Sequence, residues 1–181
     1  VYLTSFPPII APGATVLILG SMPGSRSLQV GQYYGHPRNL FWSIMGELTG
    51  ASPDLPYAVR VARIQQAGIA LWDVLQQCER PGSLDSAIVR ASEIPNDLPD
   101  LLADHPSLRA VAFNGQKAAQ GFARHITPRL DPPMRARLTL LPLPSTSPAN
   151  AAQPRQAKLA QWRAALAPFL LPQAPSATAP G

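Results

Sequence analysis

An α/β fold, a parallel sheet with helices on both faces, is predicted by three features of this 181-residue sequence. Short aliphatic and β-branched runs, each ending in a polar residue or glycine, recur along the chain. Segments with helical spacing alternate with them, which is the pattern of strand–helix–strand units. No internal repeat competes with that reading.

The first strand is expected in Thr15–Ser21 (TVLILGS), where the apolar run closes on glycine. Gly68–Leu75 (GIALWDVL) and Leu108–Gly115 (LRAVAFNG) have the same character. Arg137–Ser145 (RLTLLPLPS) starts as a strand and is expected to break at its prolines, which cannot donate to a ladder. Helices are expected over Asn39–Leu48, Pro56–Ala67, Leu84–Arg90, Asp97–Asp104, Gln116–Arg124 and Pro154–Leu166. Pro56 suits a first helical turn and Gly68 a stop. No helix is expected to open directly after the Gly20–Gly24 segment. The length fits one domain, assigned to residues 1–170. The tail 171–181 (LPQAPSATAPG) carries no charge and little bulk, and is expected to be disordered.

Composition excludes several classes. The chain is 46% apolar and 14% charged, with 22 prolines scattered as loop punctuation. No apolar run approaches the ~18 residues that span a bilayer. The start, VYLTSFPPII, shows no secretory pattern, so a cytoplasmic location without membrane contact is expected. The single cysteine, Cys78, allows no internal disulfide and no multi-cysteine zinc or iron–sulfur site. Charge is uneven: residues 1–105 hold six arginines against nine acids, and residues 106–181 hold nine Lys/Arg against Asp131 alone. A polyanion partner or a merely solvated basic face explains that asymmetry equally well.

In open α/β sheets ligands bind beyond the carboxyl ends of the strands. Those ends carry Gly20-Ser21-Met22-Pro23-Gly24, Asp73, Asn114-Gly115 and Pro144-Ser145-Thr146-Ser147-Pro148, so one site built from all four is the economical reading. GSMPGSRSL lacks the Lys-Ser/Thr of a phosphate loop and the glycine spacing of a dinucleotide site. In GQYYGHPRNLFW (Gly31–Trp42), Tyr33 and Tyr34 are placed to stack on a nucleobase. Asn39 opens a helix and is equally an ordinary N-cap. LPSTSPAN offers hydroxyls that suit phosphate oxygens, and Arg155 and Lys158 on the next helix favour a backbone contact.

Taken in order, LILGSMPGSRSL, YYGHPRNLFW, GIALWDVLQQCERPGSLDSAI, AFNGQKA and LPSTSPAN resemble the uracil-DNA glycosylase superfamily. The likeness is greatest to its hypoxanthine (deoxyinosine) branch and runs from Val16 to about Asn150. GHPRNLFW and the GIALWDVL…GSLDSAI stretch are its most specific parts. The resemblance implies a three-layer α/β/α sandwich around a short, mainly four-stranded parallel sheet. It implies hydrolysis of an N-glycosidic bond in DNA holding a damaged or deaminated base, with that base flipped out of the stack. Neither metal nor organic cofactor is implied, and we expect a monomer.

The resemblance also assigns roles. Gly20, Ser21, Met22, Pro23 and Gly24 would line the base pocket, but Met22 stands where many relatives carry a water-positioning Asp or Asn. Asn39 is the residue associated with catalysis in the hypoxanthine branch. Tyr33 or Tyr34 would stack on the base; spacing does not choose between them. Asp73 would read the base or hold a water, or cap a turn, and Asn114 would contact the base or serve the turn. Pro144, Ser145, Thr146, Ser147 and Pro148, with Arg155 and Lys158, would bind DNA. Leu143 replaces a His or Asn of relatives. No lysine falls in the pocket segments, which argues for a monofunctional enzyme without an imine step. A uracil or thymine mismatch glycosylase is the nearest alternative, and an inactive DNA-binding module is the alternative from another class.

Overall fold

The computed structural model describes residues 2–173. Four strands, β2 (Val16–Gly20), β3 (Ile69–Asp73), β6 (Ala110–Asn114) and β7 (Thr139–Leu143), form an all-parallel sheet in the order β3-β2-β6-β7. Each predicted strand is present. β2 and β6 are buried along their whole length, which is why they read as continuous apolar runs instead of alternating ones. β7 contradicts the expectation that proline would break it. Pro142 pairs with Phe113, and an edge strand tolerates it because its missing N–H falls on the unpaired side.

Side chains alternate across the sheet and fill two cores. Val16 and Ile18 of β2 pack with α2 (Phe41–Thr49), α3 (Tyr57–Gln66) and α7 (Arg155–Leu166), chiefly through Phe41, Ile64 and Trp162. Leu17 and Leu19 face the other way, against α4 (Leu98–Asp104) and α5 (Gln116–His125) through Leu102 and Phe122. The result is the expected three-layer sandwich. Asp97 accepts the Asp100 N–H and caps α4, and Gly50 closes α2 in a left-handed turn.

Four features were not legible in the sequence. A second, antiparallel sheet joins β1 (Tyr2–Thr4), β4 (Leu75–Glu79) and β5 (Ile94–Pro95) in the order β1-β4-β5. The chain leaves β3 at Asp73, turns at Val74 and re-enters a strand, so a single apolar run serves two sheets. Residues 84–90 are not a helix: two 3₁₀ turns, Asp85–Ala87 and Arg90–Ser92, stand there, because the preceding Pro-Gly-Ser turn and the return to β5 leave no length for one. A six-residue helix, α1 (Ser25–Val30), does open after Gly24, contrary to expectation, and the Ser83 hydroxyl accepts its Ser25 N–H. α6 (Pro132–Arg137) starts on Pro132-Pro133 with Asp131 as its cap. The packed domain also reaches past residue 170, since the Leu171 N–H donates to the Ala67 carbonyl. The expected tail from residue 174 onward lies outside the described residues.

Candidate active site

The carboxyl ends of β2, β3 and β6 open on one cavity of about 540 Å³, within the ~300–1,000 Å³ of small-ligand sites. Every predicted site segment except α7 contributes to its wall: Gly20 to Gly24, Tyr33, Tyr34, Asn39, Asp73, Asn114 and the loop Ser145–Pro148. The economical reading of the strand ends therefore holds as geometry.

Asp73 and Tyr34 form the floor. Gly20 lets them approach: a Cβ on Gly20 would lie 2.6 Å from Asp73 Oδ1 and 3.3 Å from the Tyr34 hydroxyl. Asp73 is 3% exposed, and its Oδ2 has no hydrogen-bond partner among the described residues. Burial, then the neighbouring Asp85 carboxylate, push the Asp73 pKa up to about 7, while the Arg80 guanidinium opposes them. The Tyr34 hydroxyl is likewise buried without a partner. Burial and then the Asp73 charge raise its pKa, with the neighbouring Asn114 amide opposing them, so the phenol stays protonated as a hydrogen-bond donor. Tyr34 adopts a left-handed backbone (φ 54°), unusual for an aromatic residue, and stacks on Phe41 with ring centroids 4.0 Å apart.

The structure separates the two tyrosines. Tyr33 is a buried support: its hydroxyl donates to the Pro7 carbonyl at 2.7 Å and its N–H to the Tyr57 hydroxyl at 3.1 Å. Only Tyr34 keeps an unengaged polar atom at the floor.

Asn39 serves its helix and the cavity at once. Its Oδ1 accepts the Phe41 N–H at 2.9 Å, which satisfies one orphan donor of α2. No acceptor among the described residues engages its Nδ2, and the residue lines the cavity. The following Leu40 N–H donates to the Thr146 carbonyl at 3.0 Å, tying the Asn39 loop to the 144–150 loop.

Asn114 is placed at the wall with both ends of its amide engaged by Thr146. Its Nδ2 donates to Thr146 Oγ1 and its Oδ1 accepts the Thr146 N–H, both at 2.9 Å. It acts as the clamp of the serine loop. Lys158 corrects the sequence reading more sharply. It is 1% exposed, and its ammonium donates to the Ser145 and Asn150 carbonyls from beneath the loop. An ammonium so engaged does not reach a phosphate. Arg155 is half-exposed, donating to the Ser43 hydroxyl at 2.7 Å beside Glu47.

The basic C-terminal half also turns inward. Lys117 and Arg124, with His125, surround the buried Glu93 carboxylate. Arg129 pairs with Asp97, Arg135 and Arg137 donate to backbone carbonyls, and Arg109 lies over Phe169. Basic charge at the rim comes instead from Arg26, which the sequence reading missed. Asp85, also missed, lines the rim and accepts from Ser21 Oγ at 2.6 Å. It had been assigned to a helix; its one sequence signal was membership of the GSLDSAI stretch.

A family model described as the uracil DNA glycosylase superfamily matches residues 7–167. The chain belongs to the uracil DNA glycosylase superfamily. Two curated proteins named hypoxanthine DNA glycosylase, from Methanosarcina acetivorans and Methanosarcina barkeri, are 38% and 39% identical to it over 116 residues. Those residues are 64% of this chain and 72% of each relative. The solution NMR structure of a Methanosarcina acetivorans protein, described as a candidate uracil DNA glycosylase, superposes with a TM-score of 0.72 at 31% identity. That match covers 91% of this superfamily member and 96% of the neighbour. Among the described residues no helix is long and apolar enough to cross a membrane, and no group of three or more His, Cys, Asp or Glu is gathered to hold a metal.

Proposed function

We propose that this superfamily member is a monofunctional DNA glycosylase of base-excision repair, acting as a monomer on hypoxanthine and leaving an abasic site. The pairing of the free Asp73 Oδ2 with the free Tyr34 hydroxyl at the cavity floor carries the reading. Two buried polar atoms without partners are costly, and a ligand that satisfies both recovers that cost. Hypoxanthine presents a donor at N1 beside an acceptor at O6. Asp73 accepts the N1–H and Tyr34 donates to O6. Adenine presents an acceptor at N1, which meets the ionised Asp73 carboxylate with no proton between them, and this supports discrimination of the deaminated base from its parent where Asp73 is ionised.

C1′ is out of reach inside a duplex, so the nucleotide swings into the cavity. Loop residues Ser145–Pro148 face the backbone, Pro144 and Arg155 standing outside the cavity lining, and Arg26 adds charge at the rim. The free Nδ2 of Asn39 stabilises negative charge developing on the departing base. No lysine lines the cavity, which supports simple hydrolysis over an imine step. Uracil and thymine share the N–H/C=O edge, so the same floor admits them as a second class of substrate.

The test uses end-labelled duplexes carrying hypoxanthine, uracil, thymine or adenine at one site, with and without hot alkali. Hypoxanthine-selective cleavage seen only after alkali is expected. Asn39→Ala should slow it by ~10²–10³-fold, as for loss of one charge-stabilising donor. Tight duplex binding without release of any base would instead favour the inactive binding module.

A further inference from the structure

Hydrolysis consumes a water, and the proton that water loses needs an acceptor. The Asn39 amide, given to the departing base, has no basic atom to take that proton, Met22 offers no polar atom, and His36 in the same wall spends its Nδ1 accepting the Arg38 N–H. Asp73 is sealed at the floor, where the base edge sits in our reading. Asp85 lies elsewhere: at the rim, in the loop between β4 and β5, beside the buried Ser21 that precedes Met22. Its Oδ1 is held by Ser21 Oγ at 2.6 Å, and its Oδ2 has no partner among the described residues.

The loop carrying Asp85 is unusually well anchored for an exposed turn. Ser83 Oγ accepts the Ser25 N–H at 3.0 Å and donates to Ser25 Oγ at 2.6 Å. The buried Arg80 donates to the Gly82 carbonyl at 2.9 Å and to the Pro23 carbonyl at 2.8 Å, joining this loop to the adjoining glycine loop. A carboxylate fixed at the mouth of a DNA site repels phosphates. Held in place there, it presents a fixed acceptor to the cavity mouth.

On the glycosylase reading above, we propose that Asp85 is the general base of the hydrolysis and Ser21 its positioning residue. A water held at Asp85 Oδ2 gives that oxygen a proton as its own oxygen bonds to C1′. The C1′–N9 bond breaks with its electron pair passing to the purine, which takes a proton from solvent; Asp85 then returns its proton to solvent. Burial raises the Asp85 pKa, while the Ser21 hydrogen bond, Arg80 and Lys117 lower it, and Asp73 is the like-charged neighbour. The net effect holds the Asp85 carboxyl above the ordinary carboxylate range.

The experiment is single-turnover release of hypoxanthine from a duplex across pH by wild type, Asp85→Asn, Asp85→Glu and Ser21→Ala. Asp85→Asn should lose ~10²-fold or more in rate, the usual worth of a general base, and lose the acidic limb of the pH profile. Its duplex binding should hold or tighten, because a negative charge has left the mouth. Asp85→Glu should keep part of the rate. Ser21→Ala should move the acidic limb to higher pH, a displacement that loss of packing alone does not produce. Asp85→Asn within about threefold of wild type overturns the proposal, as does an unmoved limb in Ser21→Ala. If Asp85→Asn fails to fold, the Ser21→Ala profile decides alone. Wild-type protein that releases no base overturns the glycosylase reading itself, and this proposal with it.

Discussion

Asp73 is a carboxyl group that the fold holds away from water, and its energetics follow from that. Its folded pKa of about 7 stands above the unfolded 3.8, with burial the main cause. The sign follows from linkage: the folded state binds the extra proton, so the stabilising contribution is complete below about pH 4 and lost as pH rises through 7. The difference between the two values corresponds to on the order of 4 kcal/mol at alkaline pH. Asp73→Asn should therefore unfold at a higher temperature than wild type around pH 8, with the gap closing towards pH 4. Thermal unfolding of both proteins at the two pH values measures it, and a gap independent of pH contradicts the assignment. Tyr34 beside it stores backbone strain of about 1–3 kcal/mol in its left-handed conformation. Its stacking on Phe41 holds that conformation.

At the level of elements, the 144–150 loop shows how a proline- and serine-rich segment becomes rigid without regular structure. Asn114 clamps Thr146 from β6, Leu40 reaches it from the start of α2, and Trp162 Nε1 donates to the Pro144 carbonyl from α7. Lys158 supports it from below. Lys158→Met removes those two bonds while keeping the aliphatic stem. Amide hydrogen exchange in residues 145–150 should accelerate, while the salt dependence of duplex binding stays as in wild type. A fall of about one in the slope of log K against log salt would show that Lys158 neutralises a phosphate after all. The same logic explains β4. Its sequence, LQQCE, has too little apolar character to announce a strand, and pairing with β1 and β5 makes it one.

Across the whole molecule, charge and site do not coincide in the way the sequence invites. The basic C-terminal half is largely folded into ion pairs with Glu93 and Asp97 of the acidic half and into carbonyl contacts, whereas Arg26 stands at the cavity rim in a half with net negative charge. The exposed Arg129–Asp97 pair adds little stability, so it does not explain the excess of arginine. The consequence is measurable. Arg26→Ala should reduce the salt slope of duplex binding by about 0.9, the release of one counterion, and Arg163→Ala, on the exposed side of α7, should not. Equal effects of the two would mean that binding follows overall charge and not the rim.

The sequence by itself determined the α/β class, the four parallel strands and the meeting of their polar ends, because buried parallel strands must be continuous apolar runs and ligand sites follow from topology. It also placed Asn39 just before α2, where its bond to the Phe41 N–H two residues on is a local matter. Only the tertiary structure decided what depends on distant neighbours. Tyr33 and Tyr34 are adjacent in sequence, yet Pro7 and Tyr57 claim one and Gly20 and Asp73 receive the other. Lys158 looks like a phosphate ligand until the loop folds over it, and Asp85 looks like a helix residue until Ser21, 64 positions away, takes its carboxylate. A side chain's type fixes what it can bond; which partner arrives, and whether water remains, is fixed by the packing of segments that local pattern cannot see.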